Sequence, residues 1–126
     1  MSNVLVFGGR DYSDFYTVTK TLNEIHKKNK IKLIIHGDAC GADNLGKQWA
    51  RVNGVHYASI PALWGFYNDS AGFKRNDAML AVNIDLAVMF KGGSGTVDMY
   101  KRLTEKNIQI VDPCNFISDI AGYLNV

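Results

Sequence analysis

Val4-Leu-Val-Phe-Gly-Gly-Arg-Asp11 sets four apolar residues directly against a pair of glycines and a pair of charges. An apolar run of this length that ends on glycine reads as a buried strand stopping at a tight turn. The pattern returns along the chain. Ile31-Lys-Leu-Ile-Ile35 runs into His36-Gly37, and Asp85-Leu-Ala-Val-Met-Phe90 runs into Lys91-Gly-Gly93. Val55-His-Tyr-Ala-Ser-Ile60 and Ile108-Gln-Ile-Val111 supply the remaining apolar runs, so five buried strands are expected. Between them the apolar spacing changes from strand to helix. Val18, Leu22 and Ile25 recur at i, i+4 and i+7, as do Leu45, Trp49 and Val52, and each set predicts one apolar helix face. A third helix is expected from near Ser70 to Val82, a fourth from near Thr96 to Lys106 with Met99 and Leu103 together, and a terminal one over Asn115 to Leu124. Strands alternating with helices imply parallel pairing through right-handed crossovers. The fold expected is α/β: a Rossmann-like, doubly wound parallel sheet with helices on both faces, formed by residues 1–126 as a single domain.

Composition narrows the function classes. With 126 residues and 47% hydrophobic content, a chain of this size buries enough surface to fold around one core without a disulfide or metal staple. Cys40 and Cys114 are far apart in sequence, which fits reduced thiols in a cytoplasm. No apolar run approaches the ~20 residues that cross a bilayer, and no targeting segment is recognised, so no membrane partner is expected. A net charge of +2 gives no global electrostatic case for a nucleic-acid surface, so no nucleic acid is expected and any anionic partner must be held locally.

The glycines point to where that happens. Gly8, Gly9, Gly37, Gly41, Gly92, Gly93 and Gly95 follow the first, second and fourth expected strands. Open parallel sheets bind ligands beyond the carboxyl ends of their strands, so three loops can build one site. In Lys91-Gly-Gly-Ser-Gly-Thr96, small residues let backbone N–H groups approach an anion at a helix start, with hydroxyls from Ser94 and Thr96. The same residues also make a tight turn in which Thr96 caps the helix. Neither a Walker A loop nor a G-x-G-x-x-G fingerprint is present.

In His36-Gly-Asp-Ala-Cys-Gly-Ala-Asp43, Asp38 and Asp43 can hold ribose hydroxyls, although an acid at a helix start also needs no ligand. His36, Asp38 and Cys40 lack a second ligand pair, and no metal site is expected. After the first strand, Arg10 can pair with phosphate and Tyr12 can stack on a base; a surface ion pair and cover for a helix end are their structural alternatives. Trp64, in the aromatic stretch Pro61-Ala-Leu-Trp-Gly-Phe-Tyr67, can serve as lid, core plug or subunit contact.

Taken together, Gly8-Gly-Arg-Asp11, the His36–Asp43 loop, the Trp64 loop, Ala71-Gly-Phe-Lys-Arg-Asn-Asp-Ala-Met79 and Gly92-Gly-Ser-Gly-Thr-Val-Asp-Met99 resemble the SLOG superfamily, and within it the small YspA-like proteins related to YpsA. The resemblance covers nearly the whole chain. It implies a Rossmann-like fold and a nucleotide or nucleotide-derived ligand, with Arg75 facing the phosphate or ribose and Asn76 beside it. Resemblance to the Lonely Guy phosphoribohydrolases is more distant. Their Pro-Gly-Gly-x-Gly-Thr-x-x-Glu motif carries a glutamate that acts at the glycosidic bond, whereas here Lys91 stands for the proline and Met99 for the glutamate. A thioether can neither take a proton nor stabilise an oxocarbenium ion.

The function expected is therefore binding of a nucleotide-derived small molecule, an ADP-ribose-type signal being one candidate, by a sensor or sequestering protein. Gly92 to Thr96 and Arg75 would take the phosphate, Asp38, Asp43 or Asp98 the sugar, and an aromatic residue the base. No cofactor is required, and a homo-oligomer is expected. Two alternatives stay open: a nucleotide N-glycosidase or phosphoribohydrolase using Arg75 with Asp98 or Asp43, and an interaction module with a vestigial pocket.

Overall fold

The computed structural model describes residues 1–37, 40–60, 76 and 83–124. Within them lie β1 (Ser2–Phe7), α1 (Phe15–Lys28), β2 (Ile31–His36), α2 (Ala42–Val52), β3 (His56–Ser59), β4 (Leu86–Met89), α3 (Ser94–Glu105), β5 (Ile110–Val111) and α4 (Phe116–Leu124). The strands form one sheet in the order β3-β2-β1-β4-β5, parallel at every pairing. The order reverses between β1 and β4. This is the Rossmann-like α/β sandwich expected from the alternation of strands and helices.

Strand alternation sorts β1 between two cores. Val4 and Val6 join Val18 and Leu22 of α1, Ile34 of β2, Trp49 and Ala50 of α2, and Val88 on one face. Leu5 and Phe7 turn to the other face with Ile35, Ala87, Met89, Met99 and Leu103 of α3, and Phe116 and Ile120 of α4. A period of two along a strand puts alternate side chains on opposite faces, so a doubly covered strand must be apolar at every position. That is why Val4 to Phe7 carries no polar residue. Close seating of α2 on β1 depends on Gly46, where a Cβ would lie 2.9 Å from Val6 Cγ1.

Helix ends are fixed by short polar contacts. Asp14 caps α1, its carboxylate accepting from the Thr17 N–H at 3.1 Å and the Thr17 hydroxyl at 2.6 Å, and these bonds hold its pKa below the ordinary value. Asp112 does the same for α4, accepting from the N–H groups of Phe116 and Ile117 at 2.9 Å each. The indole of fully buried Trp49 donates to Asn23 Oδ1 at 2.8 Å, tying α2 to α1.

The structure corrects four expectations. Val52 is 80% exposed and leaves the apolar face of α2, because Leu45 and Trp49 already cover the sheet and the helix ends at Val52. The third run is an exposed edge strand, reduced to His56–Ser59 and paired on one side by β2, so its alternation is only weakly apolar. The fifth shrinks to Ile110–Val111, half-buried on the opposite edge. Thr96 does not cap α3; Gly93 occupies the N-cap and Thr96 is buried in the first turn. The helix expected near 70–82 lies outside the described residues except for Asn76.

Candidate functional site

Beyond the carboxyl ends of β1 and β4, at the reversal of strand order, the chain brings the glycine turns together. Gly9 is their meeting point. Its N–H donates to the Lys91 carbonyl at 2.8 Å, and its carbonyl accepts from the N–H groups of Ala42 at 3.1 Å and Tyr12 at 3.2 Å. The loops after β1 and β4 and the start of α2 are thereby joined through one residue.

Several glycines answer to this crowding. A Cβ on Gly8 would lie 2.8 Å from Ala42 Cβ and 2.9 Å from Phe90 Cβ, and one on Gly9 would lie 2.7 Å from the Lys91 carbonyl oxygen. At Gly92 a Cβ would strike the Thr96 hydroxyl and sit 2.7 Å from Gly9 N. Gly41 adopts φ +72°, the left-handed region, with the carbonyls of Gly9 and Arg10 against it. Gly93 and Gly95 differ. Both are exposed, neither has a positive φ, and a Cβ on either would meet no described atom within 4 Å.

These two glycines flank the start of α3. The N–H groups of Thr96 and Val97 both donate to the Gly93 carbonyl at 3.1 Å, while among the described residues those of Ser94 and Gly95 have no acceptor. No side chain caps this end, and no acidic residue stands in its first turn. The start of α2 is a useful contrast. There Asp43, 4% exposed, occupies the first turn and accepts from the Gly37 N–H at 2.9 Å, holding the β2 loop against the helix. A carboxylate already serves that helix dipole, whereas among the described residues none serves the start of α3.

One turn into α3, Asp98 Oδ2 accepts from Arg102 Nε at 2.8 Å and from Asn76 Nδ2 at 3.0 Å. The same Asn76 amide donates to the Gly95 carbonyl at 3.1 Å, and the residue is 3% exposed. Asn76, Gly95 and Asp98 thus form one cluster at the edge of the glycine turn. Arg102 was not singled out by sequence reasoning; its i+4 spacing from Asp98 on a helix was the available signal. Met99, aligned with the glutamate of the hydrolases, is 1% exposed within the core beneath α3.

Tyr12 takes its structural alternative. Its ring packs on Phe90 with centroids 5.0 Å apart, and its hydroxyl lies 3.3 Å from Cys114 Sγ. Burial, reinforced by the Cys114 contact, pushes its pKa well above the ordinary range. Arg10 is exposed on the loop after β1 and already engaged in an interaction, and His36 is buried at the end of β2. Asp38, Trp64 and Arg75 lie outside the described residues.

A protein of similar sequence is the Gene 61 protein of Mycobacterium phage D29, 29% identical over 122 residues that span 89% of this chain and 96% of the relative. The fold is similar to that of DNA processing protein A (DprA) from Streptococcus pneumoniae, with a TM-score of 0.71 at 16% identity over 89% of this chain. The chain spans 50% of that structure, and at this identity the likeness is one of fold. The model of the YspA, cpYpsA-related SLOG family (YAcAr) matches residues 2–67, from β1 through β3 and beyond, and the chain belongs to that family.

Proposed function

We propose that this chain binds a nucleotide-derived small molecule at the β1/β4 reversal, with its phosphate on the N–H groups of Ser94 and Gly95. The observation that carries this reading is the start of α3, exposed and uncapped, where Gly93 and Gly95 meet no packing need among the described residues. Glycine inside a helix costs about 1 kcal/mol relative to alanine, and a closely approaching ligand backbone or phosphate gives a reason to keep it. Membership of a SLOG family also speaks for a nucleotide-related ligand.

For the sugar, Asp98 is the better acceptor, since the carboxylate of Asp43 is buried against Gly37. Arg75 joins the phosphate, as the family resemblance implies, with Asp38 as a further candidate for the sugar and Trp64 for the base. Binding without cleavage fits a sensor or a sequestering protein for an ADP-ribose-type signal. Against the hydrolase alternative speaks Met99, which takes the position of the relatives' glutamate and belongs to the core.

Thermal unfolding with the four ribonucleoside 5′-monophosphates, NAD and ADP-ribose tests this reading, because a ligand that prefers the folded state raises the melting temperature. At least one should do so, its parent nucleoside should do less, and Gly93→Val should abolish the shift while the free protein, slightly destabilised by valine at the N-cap, still unfolds cooperatively. An unchanged shift in folded Gly93→Val rejects this helix start as the phosphate site. A shift produced only by a single-stranded oligonucleotide rejects the small-molecule reading.

A further inference from the structure

We infer that Asp98 makes this site selective for ribose over deoxyribose, and that Arg102 and Asn76 are positioning residues that hold it for that purpose. The inference rests on the nucleotide reading above and adds the sugar to it. Both donors to Asp98 converge on one oxygen: Arg102 Nε at 2.8 Å and Asn76 Nδ2 at 3.0 Å both reach Oδ2. Among the described residues Oδ1 has no hydrogen-bond partner, and the side chain keeps 23% of its surface exposed. A carboxylate with one oxygen doubly anchored and the other open is a fixed acceptor.

What it can accept follows from its place. Asp98 lies four residues after Ser94 and three after Gly95, so it shares their side of α3. At about 1.5 Å per residue it stands roughly 6 Å along the axis from the open N–H groups. A 5′-nucleotide spans about that distance between its phosphate and its ribose hydroxyls. The hydroxyl is the donor Oδ1 lacks, and the phosphate is the anion the helix start lacks. Asn76 joins the two halves, because its amide donates both to Asp98 and to the carbonyl of Gly95. Movement of the acceptor and of the phosphate donors is thereby coupled.

The arrangement also dictates what an amide would do. In Asp98→Asn the two donors would draw the amide oxygen toward themselves and turn the NH2 group outward. The site would then present a donor where it now presents a charged acceptor.

Titration calorimetry with each ribonucleoside 5′-monophosphate, ADP-ribose, and the matching 2′-deoxy and 3′-deoxy forms tests the inference. The ribo form should bind about tenfold more tightly than at least one deoxy form, the scale of a charge-assisted hydrogen bond. Asp98→Asn should bring that ratio close to one by weakening the ribo form. Arg102→Ala should reduce the ratio in the same way and Arg102→Lys should restore part of it. A merely structural role for Arg102 would weaken ribo and deoxy forms alike, so the ratio is the informative readout. If nucleotides bind with no ribo preference, or if the preference survives Asp98→Asn, the sugar assignment falls and the phosphate site stands. If none of the nucleotides binds, both readings fall together.

Discussion

Glycine is legible in a sequence as a permission and not as a reason. The clustering of Gly8, Gly9, Gly37, Gly41, Gly92, Gly93 and Gly95 after strands puts these turns at the carboxyl edge of the sheet. It did not separate the glycines demanded by backbone contact from those that face open space, because that difference depends on which loops meet across the sheet. Gly9 against Lys91 is a contact between residues 82 positions apart (91 − 9), and no local pattern announces it. Gly95 allows the distinction to be tested. In the first turn of α3, with no positive φ and no described atom within 4 Å of an added Cβ, Gly95→Ala should stabilise the free protein by about 0.5–1 kcal/mol. The same methyl group should weaken nucleotide binding by crowding the phosphate. Urea denaturation and calorimetry on one preparation check both signs. Loss of stability in Gly95→Ala would mean that the chain itself needs the glycine.

Elements were easier to foresee than their neighbours. Apolar runs located the five strands of the described residues, three of them running into glycine, since a doubly covered stretch such as Val4–Phe7 must be continuously apolar. The edge strands were misjudged because Val55 to Ile60 contains enough apolar residues to resemble a buried strand while being covered by the sheet on one side only. The role of Tyr12 was not legible for a related reason: its partners Phe90 and Cys114 come from distant elements. That contact fastens the loop after β1 to the connection between β5 and α4, and it has a pH signature. With the folded-state pKa raised above the unfolded value near 10, the neutral phenol is favoured by the fold. Its contribution is fully present below pH ~10 and is lost as pH rises toward the folded pKa, where only the unfolded chain ionises. Stability should therefore fall more steeply above pH ~10 in the wild type than in Tyr12→Phe, measured by urea midpoints across that range. Parallel pH profiles in the two proteins would show that the Tyr12 hydroxyl is not held neutral by its surroundings.

At the scale of the whole molecule, the reversal between β1 and β4 sets which loops share one end of the sheet. Open sheets leave a crevice where the order reverses, and here the loops after β1 and β4 and the start of α3 lie at that end. Resemblance to hydrolases would locate their catalytic glutamate at Met99, but α3 is seated so that this position faces the core with Leu5, Phe7, Met89 and Leu103. Restoring the acid should therefore fail as an engineering step. Met99→Glu places a carboxylate among apolar side chains with no charge partner, and the expected cost is about 3 kcal/mol or more, enough to unfold much of the protein if its stability is ordinary. Met99→Leu, which conserves volume and polarity, should cost less than about 1.5 kcal/mol. Binding and bond cleavage should separate along the same line. On the reading proposed above, the amides of Ser94 and Gly95 would act on a phosphate in ground state and transition state alike, whereas cleavage requires stabilisation that appears only in the transition state. Wild type and Met99→Leu should thus release no free base from nucleoside monophosphates, NAD or ADP-ribose when the reaction mixtures are resolved by chromatography. Protein-dependent release by the wild type that disappears in Asp98→Asn would identify Asp98 as the working acid and replace the binder with a hydrolase. Release that appears only in a stably folded Met99→Glu would instead place the reacting bond at the core-facing side of α3.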